Sequence, residues 1–448
     1  MTVVNTVQFK TWHGDLKHIE LLHPERELLG HGFEMSLITG ENGSYKSTLL
    51  NKIVSDLVVS SKPVGINNDQ SHMNPVQLLC ISGSLADRFP QKELSSGVHT
   101  AFDVPHYTYF GQRVFSNLLS KKAPLETMLS YALCPSRIER YKWQFFSAAH
   151  KYAGIYPSIN YVLNSRVTKR QELANLRNEI ERKTPDSDSA RASSRSLPDV
   201  SYATAQWLLA EFSHEEFRDL ENLLTTGKRR VELTIDSDGP HCSQVSSNVL
   251  RLGLLTDLLS LAEVKINKIR SGETFSIYEL SSGEFHMFTT IMGIGFTLVD
   301  SAVLLIDEPE NNLHPQWQRD LMSSVYDICE KVMTEGHLIV STHSPLIVGS
   351  ALEGSTLVDL TDEEAQLRIV SYGASSDELL LSQFGVGSSR NRVVVDTVQR
   401  AISFVERGDF NNPEFELMTP KLQYIRDSLT LEDPMIDIIN ALLEKDPV

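Results

Sequence analysis

The sequence predicts an α/β fold interrupted by a mainly helical insertion and followed by a helical C-terminal tail. Three observations carry that reading. Residues 34–39 (EMSLIT) form a short apolar run that leads at once into a glycine-containing loop and an amphipathic helix, GENGSYKSTLLNKIVSDLV. Two further apolar runs, Ser301 to Asp307 (SAVLLID) and His337 to Ser341 (HLIVS), have the length and composition of buried strands. Between the first run and the other two, from about Pro124 to Leu261, the apolar spacing changes to helical patterns.

Size and charge bound the rest. A chain of 448 residues is long enough for two or three domains with a real core. Apolar content of 41% and charged content of 22% belong to a globular protein, not to a disordered acidic chain. Lys and Arg number 41 against 58 Asp and Glu, so 41 − 58 gives a net −17. Such a charge repels phosphate backbones on average and disfavours a protein coated in nucleic acid, leaving only a local basic patch. Cys80, Cys134, Cys242 and Cys329 are far apart, with no C-x-x-C pair and no zinc spacing, and read as reduced core thiols. Met1 to Trp12 lacks the pattern of a secretion signal. The longest apolar stretch, Met287 to Ile306, is broken by Thr289, Thr290 and Asp300. A cytoplasmic protein with no membrane partner is therefore expected.

Four regions follow in order. Residues 1–120 read as the first lobe of the α/β domain, with Val76 to Ile81 (VQLLCI) as another buried strand. Residues 121–265 read as a helical lid, in which Ile159 to Arg182 carries spaced apolar positions and many charges. The low-complexity run Thr184 to Asp199 reads as a mobile, disordered loop. Residues 266–360 form the second lobe, and residues 361–448 an acidic helical region.

The chemistry sits at the ends of the predicted strands. Gly40 to Thr48 follows a strand and precedes a helix, the context in which backbone N–H groups and a helix N-terminus cradle phosphates. Asn42, Gly43, Ser44, Tyr45, Lys46, Ser47 and Thr48 are the candidate binding residues. Lys46 is placed to reach the β- and γ-phosphates and the Ser47 hydroxyl to hold Mg²⁺. Tyr45 departs from the pattern G-x-x-x-x-G-K-[ST], which has glycine there. A bulky residue at that point narrows the backbone angles and crowds the phosphates, which predicts slow turnover. Taken alone, the loop is equally compatible with a glycine-rich turn that binds nothing.

Val303 to Pro309 (VLLIDEP) is an apolar strand ending in two carboxylates, the Walker B form. Asp307 is the candidate Mg²⁺ ligand and Glu308 the candidate general base for an attacking water. An ordinary strand running into an acidic turn is the plainer alternative. Leu338 to Pro345 places His343 at a strand end, where it can sense a γ-phosphate and orient the water; a lone histidine is more often structural. Leu280-Ser281-Ser282-Gly283-Glu284 reads either as a capped helix start or as a signature loop.

The order of these motifs resembles that of ABC-type P-loop ATPases of the SMC/RecF/OLD group. Gly283 lies 23 residues before Ile306 and Asp307 lies 36 before His343. Pro309 to Pro315 (PENNLHP) and Thr342-His343-Ser344-Pro345 have the OLD-like form, unlike membrane-transporter subunits. A narrower likeness, to the PtuA ATPases of Septu anti-phage systems and their retron-linked relatives, rests on several short segments. They are Cys80 to Gly83, Asp87 to Pro90, Tyr109 to Arg113, the Tyr-Lys-Ser loop, Ser375 to Leu379 and Phe384-Gly385.

The resemblance implies an ABC-type P-loop NTPase fold, ATP and Mg²⁺ as cofactors, and a homodimer or a higher assembly such as a hexamer. There Ser282 and Gly283 of one copy complete the nucleotide site of another. It further implies an HNH nuclease partner of the PtuB kind and a role in bacterial defence. Gln77, Gln91 and Gln112 are candidates for the glutamine such ATPases carry. The 105 residues after His343 (448 − 343) show no D-x-D cluster, and no HNH constellation is visible, so DNA cleavage is expected from a partner. A RecF-like repair ATPase and an ATP-bound scaffold with little turnover are the competing expectations.

Charge mapping sharpens the surface. Residues 136–183 hold ten basic and four acidic residues, net +6, while 361–448 hold eight basic and 16 acidic, net −8. Arg137, Arg140, Lys142, Lys169 and Arg170 are candidate DNA contacts; a solvated face of mixed ion pairs explains the same count. The acidic tail reads as a solvated face or as a dock for a basic partner.

Overall fold

The structure, a computed structural model, describes residues 3–26, 32–60, 76–92, 99–115, 118–167, 175–184, 200–226, 230–362, 364–370, 391–408, 412–429 and 433–443. An antiparallel hairpin of β1 (Thr6–Lys10) and β2 (Leu16–Glu20) precedes β3 (Glu34–Thr39) and helix α1 (Lys46–Ser60). β4 (Leu78–Ser82) and β5 (Tyr107–Phe110) follow, then the short pair β6 (Arg113–Phe115) and β7 (Leu118–Leu119). The insertion runs through α2 (Lys122–Ala132), α3 (Gln144–Tyr152), β8 (Ser158–Ser165), α4 (Leu176–Glu181), α5 (Tyr202–Glu211) and α6 (His214–Thr225). It continues through β9 (Arg230–Asp236), β10 (Gly239–His241), α7 (Ser247–Leu255), β11 (Leu259–Asn267) and β12 (Thr274–Ser276). The chain then returns to the first layer with α8 (Ser282–Thr297), β13 (Val303–Asp307), α9 (Pro315–Val332), β14 (His337–Ser341), β15 (Thr356–Asp359) and β16 (Gln366–Ile369).

Seven strands form the central sheet in the order β16-β15-β3-β14-β13-β4-β5. All neighbours are parallel except β16, which closes one edge antiparallel. Every residue of β3, β4, β13 and β14 is buried, as expected for parallel strands covered on both faces. Alternate side chains serve the two faces. Ile38, Cys80, Leu305 and Ile339 pack with Leu49, Leu50 and Ile53 of α1 and with the β1–β2 hairpin. Leu37, Leu79, Leu304 and Val340 pack with α8 and α9 on the other side. Burying each such side chain contributes about 1.5–3 kcal/mol.

Register positions the site. Asp307 pairs with Ser341 of β14, and Ser341 with Ile38 of β3. Asp307 also pairs with Ser82 of β4. The segments that follow β3, β13, β14 and β4 therefore leave the sheet along one rim, the carboxyl-end edge where open α/β sheets place ligands.

The α/β expectation holds, with the central strands where the sequence placed them, but the insertion is organised differently from a helical lid. It carries a five-stranded antiparallel sheet in the order β10-β9-β8-β11-β12. The stretch Ile159 to Arg182, read as helical, contains strand β8, and only Leu176–Glu181 is helical. Ile159, Tyr161 and Leu163 are buried at a period of two, and the strand gains ladders on both sides from β9 and β11. Because β12 pairs with β11, this sheet runs to Ser276 rather than ending at residue 265. Nor is its core separate. Tyr141 and Phe145 stack on Phe296 of α8 at 4.7 and 5.2 Å, joining the insertion to the core of the central sheet.

Past the second lobe, β16 still belongs to the central sheet, beyond the boundary expected at residue 360. Helices Arg392–Glu406, Pro413–Ser428 and Met435–Leu443 then pack around their own core of Val394, Val398, Phe415, Ile425 and Ile439. The stretch 185–199, expected to be a mobile loop, and 371–390, which holds two of the PtuA-like segments, lie outside the described residues. Among the described residues no helix is long and apolar enough to cross a membrane.

The packing of α8 sets a testable limit. A Cβ on Gly295 meets ring carbons of Phe145 at 2.3 Å. The helix-propensity gain of about 1 kcal/mol from Gly295→Ala is outweighed by overpacking of about 1–3 kcal/mol. Urea unfolding is expected to show a net loss of stability; a gain contradicts this packing.

Candidate active site

The phosphate loop is shaped by three residues in the left-handed region: Gly40, Gly43 and Tyr45, with φ of 143°, 89° and 73°. A Cβ at Gly40 meets Ser44 Oγ at 2.6 Å and the Leu360 backbone at 3.2 Å, so the turn is closed to side chains there. Tyr45 adopts the conformation that the usual glycine takes freely, at a cost of about 1–2 kcal/mol. Its ring packs instead on the hairpin: 6.1 Å from the Phe9 ring, with Lys17 Nζ 5.9 Å from its centroid. That contact offsets the strain and gives the bulky side chain a place, while the Tyr45 carbonyl accepts the Leu49 N–H and starts α1.

Lys46 is buried, and its Nζ donates to the Gly40 and Glu41 carbonyls at 2.8 and 2.9 Å. Burial pulls its pKa down, against the upward pull of Glu308, Asp307, Glu310 and Asp359. Asp307 is 1% exposed. Burial first, and then the charge of Glu308, push its pKa up to about 7. The Ser341 and Ser47 hydroxyls beside it oppose the rise. Even so, Asp307 Oδ1 and Ser341 Oγ are buried without a formed hydrogen bond.

Glu308 turns the chain sharply at φ 50°. Its N–H donates to the Ser341 carbonyl at 2.9 Å, and its Oε2 accepts from Asn311 Nδ2 at 2.7 Å. His343 Nε2 lies 4.0 Å from Glu308 Oε1. Burial and the Lys46 charge lower the His343 pKa against the pull of Glu308, so the ring is neutral near neutral pH. Its backbone N–H donates to Glu310 Oε1 at 2.6 Å.

A cleft of about 150 Å³ is lined by Asn42 through Thr48 together with Glu308 and His343. The sheet thus gathers the expected loop, Glu308 and His343 into one space, with Asp307 buried behind it. Ser282 and Gly283 do not line it. Ser281 caps α8 through a capping box with Glu284 (2.9 and 3.3 Å), Ser282 is exposed, and Gly283 packs under the carboxylate turn. A Cβ at Gly283 meets the Asn312 carbonyl at 2.8 Å. None of Gln77, Gln91 or Gln112 lines the cleft.

Four contributors had no role assigned from the sequence, although Gly83 and Arg88 stand within the family-like segments Cys80 to Gly83 and Asp87 to Pro90. Trp12, 74% exposed on the hairpin tip, lies at the cleft with Arg88, whose guanidinium is 4.9 Å from the Trp12 ring. Arg88 Nη1 also donates to Thr48 Oγ1 at 3.2 Å. His286 of α8 is within 3.1 Å of the Pro309 carbonyl, so its Nε2 carries the proton and donates. Gly83 leaves room for Glu308, whose carbonyl a Cβ there meets at 2.2 Å. No local pattern marks Trp12 or His286; folding alone brings them in.

The candidate DNA contacts fare differently. Arg140 is buried, donates to the Gly295 carbonyl at 2.8 Å and stacks on Trp143 at 5.1 Å, so it does not offer a surface charge. Arg137 is half-buried, with an unpartnered Nε in the interior. Lys142 is exposed and 3.3 Å from Glu139. Arg177 and Arg182 pair with Glu181 and Glu179. Lys169 and Arg170 lie outside the described residues. A charge count cannot distinguish a buried arginine from a phosphate contact.

The donor set fits a hard divalent cation. Asp307 offers a buried oxygen without a partner, and the Ser47 hydroxyl stands beside the carboxylate. Among the described residues no group of three or more His, Cys, Asp or Glu could hold a metal by itself. An Mg²⁺ here would complete its shell with phosphate and water oxygens, its usual habit in nucleotide sites.

Comparison with known proteins gives partial sequence matches. Residues 157–349 match the family described as "AAA domain, putative AbiEii toxin, Type IV TA system". The chain is 28% identical over 119 residues to the retron Vc95 probable ATPase of Vibrio cholerae serotype O1 biovar El Tor, covering 22% of each chain. It is 26% identical over 215 residues to the Septu protein PtuA of Bacillus thuringiensis, covering 43% of this chain and 50% of that one. The matches thus span a fifth to a half of those curated relatives. A superposition on "An inward-facing conformation of a putative metal-chelate type ABC transporter" has TM-score 0.28 at 10% identity, covering 86% of this chain and 90% of that chain, and is too loose to bear on fold or function. By sequence the chain is similar to PtuA-like P-loop ATPases, at modest identity.

The raised Asp307 pKa carries a stability consequence. A carboxyl whose folded pKa lies above its unfolded value destabilises the fold once it ionises, so the cost grows as pH rises from about 4 to about 7. Asp307→Asn is expected to stabilise the metal-free protein by about 1–3 kcal/mol near pH 8, and by less near pH 5. Denaturant unfolding in chelator checks this; an equal loss of stability at both pH values contradicts it.

Proposed function

We propose that this chain is an ATP-binding and ATP-hydrolysing subunit of a bacterial anti-phage defence assembly, and that its nucleotide state controls a partner nuclease. The observation that carries the chemistry is the register of β3, β14 and β13, which brings Lys46, Asp307, Glu308 and His343 to one rim. The likeness to PtuA and to a retron ATPase supports the defence context.

The reaction is ATP plus water to ADP plus phosphate. The loop N–H groups and Lys46 hold the phosphate oxygens and stabilise the charge that moves onto the leaving group. Ser47 and Asp307 would hold Mg²⁺, which would neutralise negative charge on the phosphates when bound. Glu308 takes the proton from the attacking water; Asn311 fixes one of its oxygens and leaves the other toward His343. Neutral His343 orients that water. Trp12, steadied by Arg88, presents an aromatic face on which a nucleobase can stack.

Ser282 and Gly283 open α8 outside their own cleft, which supports a composite site completed by a second copy. We take the assembly to be a homodimer or a higher oligomer such as a hexamer, acting in the cytoplasm. Glu308 and His343 favour turnover over a static scaffold, and Tyr45 slows it without blocking it, because the loop keeps its glycine-like backbone and the ring lies on the hairpin. Cleavage is assigned to the partner, an HNH nuclease of the PtuB kind; DNA contact through the insertion falls to exposed residues such as Lys142, since Arg140 is buried.

Glu308→Gln is expected to lower ATP turnover by about 100-fold or more while leaving ATP affinity within about threefold. Turnover assays and equilibrium binding on the purified chain measure both. Unchanged turnover removes Glu308 as the base. In the assembled complex, the same variant should change nuclease activity, and an unaltered nuclease would sink the control role.

A further inference from the structure

A larger cavity, about 340 Å³, lies between the β5 edge of the central sheet, α2, and helices α5 and α7 of the insertion. It shares no lining residue with the nucleotide cleft. The two are nonetheless neighbours through consecutive residues. Asp87 accepts from Arg113 Nη2 at 2.9 Å and from the Tyr109 hydroxyl at 2.7 Å, and both of those residues line the cavity. Arg88 lines the cleft.

Its acidic groups are already satisfied. Asp103 accepts from the Ser201 N–H at 3.1 Å and from Thr204 Oγ1 at 3.2 Å. Glu126 accepts from the Leu261 N–H at 2.7 Å and lies 3.4 Å from Lys122 Nζ, while Asp257 pairs with Arg166. The two arginines are ion-paired, to Glu211 and Asp87, but keep spare N–H groups. Arg251 bonds Glu211 at 2.7 Å and Asn248 at 3.4 Å through Nη1 and lies over the Trp207 and Phe212 rings at 5.6 and 5.1 Å. Arg113 bonds only through Nη2, and its Nε is buried with no partner. Lys92, at the exposed edge, has no ion pair among the described residues.

Spare N–H groups thus stand in a wall that combines Trp207, Tyr131, Leu254, Leu255 and Leu259 with polar Gln91, Thr108, Thr127 and Ser130. The volume is that of a small-molecule site. We propose that this cavity binds a small organic anion: an aromatic body carrying one carboxylate or phosphate group. Its apolar portion lies against Trp207 and the leucines, and its anionic oxygens meet Lys92 and the Nη groups that Arg113 and Arg251 leave unbonded to Asp87 and Glu211. The assignment is independent of the ATPase reading.

The probe is 8-anilinonaphthalene-1-sulfonate, an aromatic anion whose fluorescence rises in apolar sites, titrated into the full chain and competed with phenyl phosphate or benzoate. The expected result is saturable one-to-one binding, displaced by at least one competitor; the stronger displacer identifies the head group. Binding should persist in Lys46→Ala, which alters only the nucleotide cleft. Lys92→Glu reverses a charge at the exposed edge, and Thr127→Trp fills the space. Each should weaken binding by about ten-fold or more with the melting temperature unchanged within about 2 °C. Absent saturable binding, displacement by neither competitor, or full affinity in either folded variant overturns the proposal.

Discussion

One constraint organises the nucleotide cleft: Asp307 is buried at the end of β13 with Glu308 next to it. Placing a carboxylate where water cannot reach it costs several kcal/mol unless a charge or hydrogen bonds compensate. The surroundings compensate only in part. Lys46 is the cation that faces Asp307, Glu308 and Glu310 together, and the Ser47 and Ser341 hydroxyls add a little. The charge balance of the rim is therefore negative. It favours a divalent cation there, bound together with the phosphates the loop cradles.

Backbone strain gathers at the same place. Of the non-glycine residues with positive φ, Tyr45, Glu308 and Asn312 all stand in the phosphate loop or the carboxylate turn. Each is held by packing from another element. Tyr45 rests on Phe9 and Lys17 of the hairpin. The Glu308 turn sits over Gly83 and is tied to α8 through His286 and Pro309. Asn312 abuts Gly283, so the start of α8 and the general-base turn form one unit. Such an arrangement couples what happens at Ser282 to the position of Glu308, which is how a second copy docked on α8 would influence hydrolysis in this one.

The central sheet and most of the site were legible because they are local in sequence. An apolar run ending in Asp307-Glu308, a loop ending in Lys46-Ser47 and a strand ending before His343 each declare themselves within ten residues. Their joining into one cleft followed from motif order, and the strand register is the physical form of that order. The insertion was misread because Ser158–Ser165 is short and is followed by charged residues, so its period of two was lost in a longer helical-looking window. Its ladder partners lie some 70 and 100 residues downstream. Trp12 and His286 were invisible for the same reason, and Arg88 stood only within a family-like segment with no role assigned. Arg140 misled because a charge tally assumes exposure, and here the guanidinium satisfies the carbonyl of Gly295 inside the core.

A buried, incompletely compensated Asp307 should make nucleotide binding at this cleft depend on a metal. Isothermal titration of ATP into the purified chain, with Mg²⁺ and again with chelator, tests it most directly. Mg²⁺ is expected to tighten ATP binding by about ten-fold or more, and Asp307→Asn to remove the difference. Equal ATP affinity with and without Mg²⁺ in the unaltered chain would contradict it.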